Sequence, residues 1–174
     1  LLKKQYKKTL KKNLKDFGIS HHSGPIYHEP ALQPFLKFII QVSGDFLSTC
    51  GFDLQRHKAW LNECWVQEFA KQGGGNHIAH LHGNNHVSGF YFLKCSPLTS
   101  FPVLNDPRTA AVMCKLPLKK IEDVTSGSDL IHLNPRPGTL VIFPAYLSHH
   151  FPVDHGAESL RFIHFNIQYL PVGA

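Results

Sequence analysis

From Trp60 onward, short apolar stretches alternate with turn-forming residues, and this pattern limits the fold more than any other feature of the chain. The apolar stretches are rich in Phe, Val, Ile and Tyr, and Gly, Pro, Asn and Asp separate them. Runs of this length at this spacing are typical of strands in an antiparallel sandwich or barrel. We therefore predict a mainly β chain with strands at 60–69, 77–82, 87–95, 110–116, 139–143, 147–153 and 159–169.

The first 50 residues have helical periodicity instead. In 1–17, four apolar side chains recur at the spacing of one helix face, namely Tyr6, Leu10, Leu14 and Phe17. A second helix or helix pair is predicted over 31–50, with a break or kink at Gly44. We therefore expect one domain over residues 1–174, with a helical support at 1–50 and a β core at 60–170.

The net charge of +6 comes from the N-terminal segment. Seven of the eighteen basic residues are lysines within 1–17, so the remaining eleven nearly balance twelve acidic residues. A nucleic-acid-binding protein normally carries basic residues on its folded surface as well. We therefore expect no nucleic-acid partner, and we expect the first helix to pack on the domain with its lysines in water.

Membrane and secretory signals are not evident in the sequence. No apolar run approaches the ~20 residues that a membrane span needs, and no apolar segment follows the lysines as in a signal peptide. The four cysteines are scattered and form no C-x-x-C pair. Scattered thiols in an apolar context are typical of reduced cysteines, so the sequence predicts a cytoplasmic protein.

Histidine is the residue type that points to chemistry, with thirteen copies in the chain. His80 and His82 are two positions apart at the mouth of an apolar strand, and alternation along a strand turns both rings to one face. A further imidazole, His149, follows the buried strand 139–143. Together these rings could form a metal site in a small barrel.

Arg161 is unusual because it lies within an apolar strand. A guanidinium in such a place normally has an anionic partner, and its planar fork suits a carboxylate. Two interpretations remain open at this point. Arg161 either binds a carboxylate ligand or forms a salt bridge with a nearby Asp or Glu.

Three stretches of the chain resemble the 2-oxoglutarate- and iron(II)-dependent oxygenases. They are Trp65-Val66-Gln67, the segment from His80-Leu81-His82 through Ser88-Gly89-Phe90-Tyr91-Phe92-Leu93, and the segment from Phe143-Pro144 through His149 to Arg161 and Asn166. The resemblance is to a group known largely from bacterial, phage and marine sequences, and it covers most of the β region. It implies a double-stranded β-helix, or jelly roll, with N-terminal helices packed on one sheet.

The resemblance also implies an activity and the residues that perform it. His80 and His149 would bind Fe(II), Arg161 would bind the far carboxylate of the cosubstrate 2-oxoglutarate, and Gln67 would make a polar contact to the same molecule. With O₂, such an enzyme releases succinate and CO₂ and hydroxylates a small-molecule or peptidyl substrate, with ascorbate as an optional reductant. The sequence indicates neither the substrate nor the oligomeric state.

This chain departs from the usual pattern of these oxygenases at the third metal ligand, where most carry H-x-D or H-x-E. Three alternatives are open: His82 is the ligand, Asp106 reaches the metal from a later loop, or the site has two protein ligands. We favour His82, because it needs no rearrangement of the strand. A second departure is Ile163, where many relatives carry a serine that bonds the cosubstrate.

Two other functions are compatible with parts of the sequence. A three-histidine cupin dioxygenase without 2-oxoglutarate accounts for the imidazoles but gives Arg161 no role. A non-catalytic β-barrel binding module, whose lysine-rich helix contacts a polyanion, is disfavoured by the near-neutral remainder of the chain. Titrations with iron and with 2-oxoglutarate distinguish the 2-oxoglutarate oxygenase, the cupin dioxygenase and the binding module from one another.

Overall fold

The structure, a computed structural model, describes residues 20–108, 110 and 113–173. The helix expected over 1–17 lies outside this range. The elements are β1 (Ser20–His22), a 3₁₀ turn (Pro30–Leu32), α1 (Gln33–Thr49), β2 (His57–Phe69), β3 (His77–His80), β4 (Val87–Lys94), β5 (Val103–Asn105), β6 (Leu130–His132), β7 (Leu140–Pro144), β8 (His149–Phe151) and β9 (Leu160–Pro171).

The strands form two antiparallel sheets, as the sequence predicted. The major sheet has the order β1-β2-β9-β4-β7, and the minor sheet has the order β3-β8-β5-β6. Aromatic side chains from both sheets form one buried cluster that includes Phe69, Phe90, Phe92, Phe151 and Phe162. Each buried aromatic ring of this kind contributes roughly 1.5–3 kcal/mol through the area it removes from water. This cluster holds the two sheets face to face.

Alternation along β9 decides which of its side chains can reach the space between the sheets. Leu160 and Phe162 belong to the inter-sheet cluster, so they define the inner face of the strand. Ile163, Phe165 and Ile167 pack in the second core, with α1, so they define the outer face. Because successive side chains point to opposite sides of a strand, even-numbered residues from 160 to 166 face the minor sheet.

Helix α1 covers the outer face of the major sheet. Its buried side chains Leu36, Ile39, Ser43 and Leu47 recur every three or four residues, as expected for one packed stripe. The break expected at Gly44 does not occur, since α1 runs through this position. A Cβ atom at Gly44 would lie 3.3 Å from the Tyr169 hydroxyl oxygen, so the glycine allows the helix to approach β9 closely.

Three strands of the structure were not predicted from the sequence, and one predicted strand is not found. The short strands β1, β5 and β6 have three residues each, too few to give a period-two pattern. The strand expected over 110–116 is not found at the described positions of that stretch. Met113 and Leu116 are 88% and 79% exposed there, so this apolar run lacks the packing partner that a strand needs. Within the described ranges, none of the helices has the length and apolar character of a membrane span.

Candidate metal centre

His80 and His149 face each other across the minor sheet. The antiparallel pairing of β3 with β8 sets these two residues directly opposite each other. Their ring centroids are 4.4 Å apart, although they are almost seventy positions apart in the sequence. The strand register therefore builds the pair of imidazoles that the sequence predicted, and it does so with backbone hydrogen bonds rather than with a loop.

Each of the two rings is oriented by a backbone carbonyl. Nδ1 of His80 is 2.7 Å from the carbonyl oxygen of Ile78, and Nδ1 of His149 is 3.1 Å from that of Leu147. Since a carbonyl can only accept, the proton of each neutral ring lies on Nδ1. The lone pair is then on Nε2, which is the arrangement that metal-binding histidines adopt in proteins.

His82 joins the other two rings but has different hydrogen bonding. One nitrogen from each of His80, His82 and His149 can be chosen so that all three atoms lie within 4.8 Å of one another. The centroid of the His82 ring is 5.1 Å from those of both His80 and His149. However, Nδ1 of His82 is 3.1 Å from the side-chain amide nitrogen of Asn166, not from a carbonyl.

Asn166 connects the histidines to the major sheet. It is fully buried, and its Oδ1 accepts a hydrogen bond of 2.6 Å from the Ser88 hydroxyl. Its amide nitrogen contacts a carboxylate oxygen of Glu63 and lies 3.1 Å from Nε2 of His164 as well as from His82. Glu63, His82 and His164 consequently form a second group of closely spaced ligand atoms.

Burial keeps the rings of His82, His149 and His164 neutral. Desolvation, followed by repulsion from the neighbouring imidazoles, lowers the pKa of His82 to about 4. Desolvation likewise lowers the pKa of His149 to about 4, and it lowers the pKa of the fully enclosed His164 well below its ordinary value. Neutral imidazoles have a lone pair to offer, so His149 is in the state that a cation requires at neutral pH.

The rings line a small cavity between the two sheets. Its volume is about 30 Å³, close to that of one or two water molecules. Its wall consists of Trp65, Gln67, His77, His80, His82, Phe90, His149, Phe151, Phe162 and His164. This donor set suits a divalent transition metal, because imidazole is a preferred ligand of iron and its neighbours.

The position of Arg161 does not match the role that the sequence predicted for it. Arg161 lies on the outer face of β9, whereas Phe162 and His164 on the inner face line the cavity. Its guanidinium forms a salt bridge with Glu68, whose side chain is 6% exposed. A salt bridge with a local acid is one of the two interpretations that the sequence left open for Arg161. Among the described residues that line the cavity, none is Lys or Arg, so a 2-oxoglutarate carboxylate would find no permanent cation there.

Gln67 and Asp106 have different surroundings. Gln67 is on the cavity wall, but its amide already accepts from the Trp65 indole at 3.3 Å and donates to Ser20. Asp106 bonds both the backbone and the guanidinium of Arg108. It belongs to neither group of closely spaced ligand atoms in the described part of the chain. The loop alternative for the third ligand therefore has no geometric support.

Three polar residues of this site were not predicted from the sequence, namely Glu63, Ser88 and His164. A signal for two of them was present. Residues an even number of positions apart on a strand point to the same side. Glu63 has this spacing from Trp65 and Gln67, and His164 has it from Asn166, so both face the cavity. A polar side chain on the inner face of a central strand needs a buried partner, and this could have identified them.

Comparison with solved structures supports the same fold. Similar structures include an oxidoreductase of the 2OG-Fe(II) oxygenase family from Burkholderia pseudomallei, with 12% identity, a TM-score of 0.54 and coverage of 82% of this chain and 60% of that chain. A prolyl-4-hydroxylase from Pseudomonas putida gives 14% identity, a TM-score of 0.55 and coverage of 86% and 67%. These likenesses confirm the predicted jelly roll.

A third similar structure is a prolyl hydroxylase from Trichoplax adhaerens in complex with a peptide fragment of the hypoxia inducible factor oxygen degradation domain. It has 14% identity and a TM-score of 0.52, with coverage of 89% of this chain and 66% of that chain. The chain thus spans 60% of the Burkholderia structure and about two thirds of the other two.

No curated protein matches the chain in sequence. A family model does match it, under the description "Putative 2OG-Fe(II) oxygenase", over residues 63–166. This match covers more than half of the sequence and includes both metal-ligand candidates, His80 and His149, as well as Asn166. The resemblance that the sequence motifs indicated is thereby confirmed, and the chain belongs to the family of 2OG-Fe(II) oxygenases.

Proposed function

We propose that this protein is an Fe(II)- and 2-oxoglutarate-dependent dioxygenase that hydroxylates an unidentified substrate. The observation that carries the proposal is the pair His80 and His149. Both have Nδ1 bound to a backbone carbonyl and Nε2 available on the same small cavity. Membership of the oxygenase family makes iron the metal to expect at this pair.

The chain would hold the metal with the Nε2 atoms of His80 and His149, with His82 beside them. When bound, iron and 2-oxoglutarate supply the oxidising chemistry, in which O₂ and 2-oxoglutarate give succinate and CO₂ while one oxygen atom enters a substrate C–H bond. The surrounding aromatic side chains, among them Phe90 and Phe151, limit water around the metal.

The substrate class remains the open part of this proposal, either a small molecule or a peptidyl side chain. The peptide complex of the Trichoplax prolyl hydroxylase makes proline-containing peptides the first class to screen. The cosubstrate would have to be held without Arg161, because that guanidinium lies on the outer face of β9 with Glu68.

Turnover of 2-oxoglutarate without substrate tests the proposal. Purified protein is incubated with Fe(II), 2-oxoglutarate, O₂ and ascorbate, and succinate is quantified by NMR. We expect slow succinate release that requires Fe(II) and disappears in His149→Ala, whereas the neighbouring variant His150→Ala retains it. If the parent forms no succinate and binds no 2-oxoglutarate when metal is present, the proposed function is wrong.

A further inference from the structure

Glu63 fixes the orientation of the Asn166 side-chain amide. A carboxylate oxygen can only accept hydrogen bonds, so the atom of Asn166 that faces Glu63 must be the NH₂ group. The Ser88 hydroxyl, on the opposite side, then donates to the amide oxygen at 2.6 Å. All three residues are on central strands of the major sheet, and Ser88 and Asn166 have no exposed surface.

This orientation dictates where two imidazole protons lie. The amide nitrogen is 3.1 Å from Nδ1 of His82 and 3.1 Å from Nε2 of His164. Glu63 takes one of its two hydrogens, and the two rings share the other. Both ring atoms must therefore present lone pairs to the amide. In a neutral imidazole the proton is then on the other nitrogen, which is Nε2 in His82 and Nδ1 in His164.

These two N–H groups have no acceptor in the described part of the structure. Nε2 of His82 and Nδ1 of His164 are both buried and without a hydrogen-bond partner. Both rings line the metal cavity, and their centroids are 4.8 Å apart. A buried donor without an acceptor costs roughly 1–3 kcal/mol, so the arrangement favours a ligand that brings acceptor oxygens. His80 and His149 carry their proton on Nδ1, unlike His82, and their Nε2 lone pairs are available to a metal.

We propose that His82 and His164 are a pair of neutral N–H donors that bind a carboxylate group of an acid held at the His80–His149 metal. In this arrangement His82 contacts the acid and is not the third metal ligand. Glu63 and Asn166 act as positioning residues, since they act on the acid only through the two imidazoles. The inference rests on the proposed function, because 2-oxoglutarate is the acid that the family implies. The two N–H groups would bind the carboxylate of this acid in a cavity whose described lining contains no Lys or Arg.

A second metal ion at Glu63, His82 and His164 is the competing explanation for the same cluster. Their ligand atoms do lie close enough to one another. However, the amide nitrogen of Asn166 already contacts all three residues, so it occupies the point where a cation would have to sit. Glu63, His82 and His164 therefore lie together because each is a hydrogen-bond partner of the Asn166 amide.

The tautomers can be measured directly in the parent protein. Protein with ¹⁵N-labelled histidine is loaded with zinc, which is diamagnetic, and two-bond ¹H–¹⁵N spectra are recorded before and after addition of 2-oxoglutarate. We expect Nδ1–H in His80 and His149, Nε2–H in His82 and Nδ1–H in His164. The last two protons should shift downfield when 2-oxoglutarate binds. Zinc bound to Nε2 of His82 would overturn the inference and leave the proposed function intact.

An Asn166→Asp variant reverses the hydrogen bond: the proton that the two buried acids share stays on Glu63, and the new carboxylate accepts from Nδ1–H of His82. We expect the affinity of the zinc-loaded protein for 2-oxoglutarate to fall about 10- to 100-fold by calorimetry. Asn62→Asp, an exposed position beside Glu63 with the same change of charge, should bind like the parent. Binding of 2-oxoglutarate that leaves the His82 and His164 protons unshifted would overturn the inference alone. Zinc binding without any 2-oxoglutarate binding would overturn both the inference and the proposed function.

Discussion

Arg161 and Glu68 form a salt bridge on the outer face of the major sheet, away from the histidine cavity. The Glu68 side chain is 6% exposed, so removal of the guanidinium leaves a buried carboxylate without this cation. We therefore expect the pair to have a structural role, and the contact of Arg161 with 2-oxoglutarate stays a prediction from the sequence.

The first prediction concerns this salt bridge. Arg161→Ala should lower the free energy of unfolding by roughly 1–3 kcal/mol, because a charge-assisted hydrogen bond to a buried carboxylate is lost. Its affinity for 2-oxoglutarate should stay within about twofold of the parent. Denaturant unfolding and calorimetry check the two statements, and Glu68→Gln serves as the matched variant. If Arg161→Ala has normal stability but a much lower affinity for 2-oxoglutarate, Arg161 binds the cosubstrate and this prediction is wrong.

The second prediction separates His82 from the metal ligands. His82→Ala should reduce Mn(II) affinity by less than about tenfold, because in the tautomer proposed above Nδ1 accepts from Asn166 and Nε2 carries the proton. The same variant should weaken 2-oxoglutarate binding to the metal-loaded protein. Calorimetry gives both affinities. If His82→Ala loses metal as severely as His149→Ala, the three-histidine site favoured from the sequence is correct.

The third prediction concerns pH. Burial lowers the pKa of His77, His82 and His149 to about 4, whereas an unfolded histidine titrates near 6.5. Between these values the unfolded chain binds more protons than the folded protein, so acid favours unfolding. The Tm of the metal-free protein should be highest above pH 6.5 and fall by several degrees as the pH decreases toward 4. A Tm that does not change between pH 7 and pH 5 would contradict this account.

The fourth prediction tests the packing behind the site. A Cβ atom at Gly89 would lie 2.2 Å from the Phe165 ring and 2.7 Å from the carbonyl oxygen of Val141. A strand backbone cannot easily move, so Gly89→Ala should destabilise the protein by about 1–3 kcal/mol. Gly83→Ala is the control, since its Cβ would have no atom within 4 Å. Equal stability of the two variants, measured by thermal unfolding, would show that the strands can separate at Gly89.

The sequence predicted those parts of the fold that depend on a repeated pattern. The long strands β2, β4 and β9 have enough residues to reveal alternation, and helix α1 has a buried stripe of four residues. The strands that were not predicted, β1, β5 and β6, have three residues each and show no such pattern. Their positions depend on pairing with distant partners, as β5 does with β6 and β8.

The site was predictable where motif spacing alone positions the side chains. His80 is the last residue of β3, His82 follows two positions later, and the distal His149 follows Phe143-Pro144. Arg161 could have been placed by counting, since it is an odd number of positions from both His164 and Asn166 on one strand and must face the other way. The contacts of Glu63 with Asn166 could not be predicted, because they depend on the register of β2 against β9.

Metal binding at the His80–His149 pair is the most direct test of the central claim. Anaerobic calorimetry with Fe(II), or with Mn(II) as a stable substitute, compares the parent with His80→Ala, His149→Ala and the neighbouring control His150→Ala. We expect one metal ion per parent chain, a loss of roughly a hundredfold or more in affinity for the first two variants, and normal binding by the control. If His80→Ala and His149→Ala both bind metal like the parent, the metal centre is not at this pair.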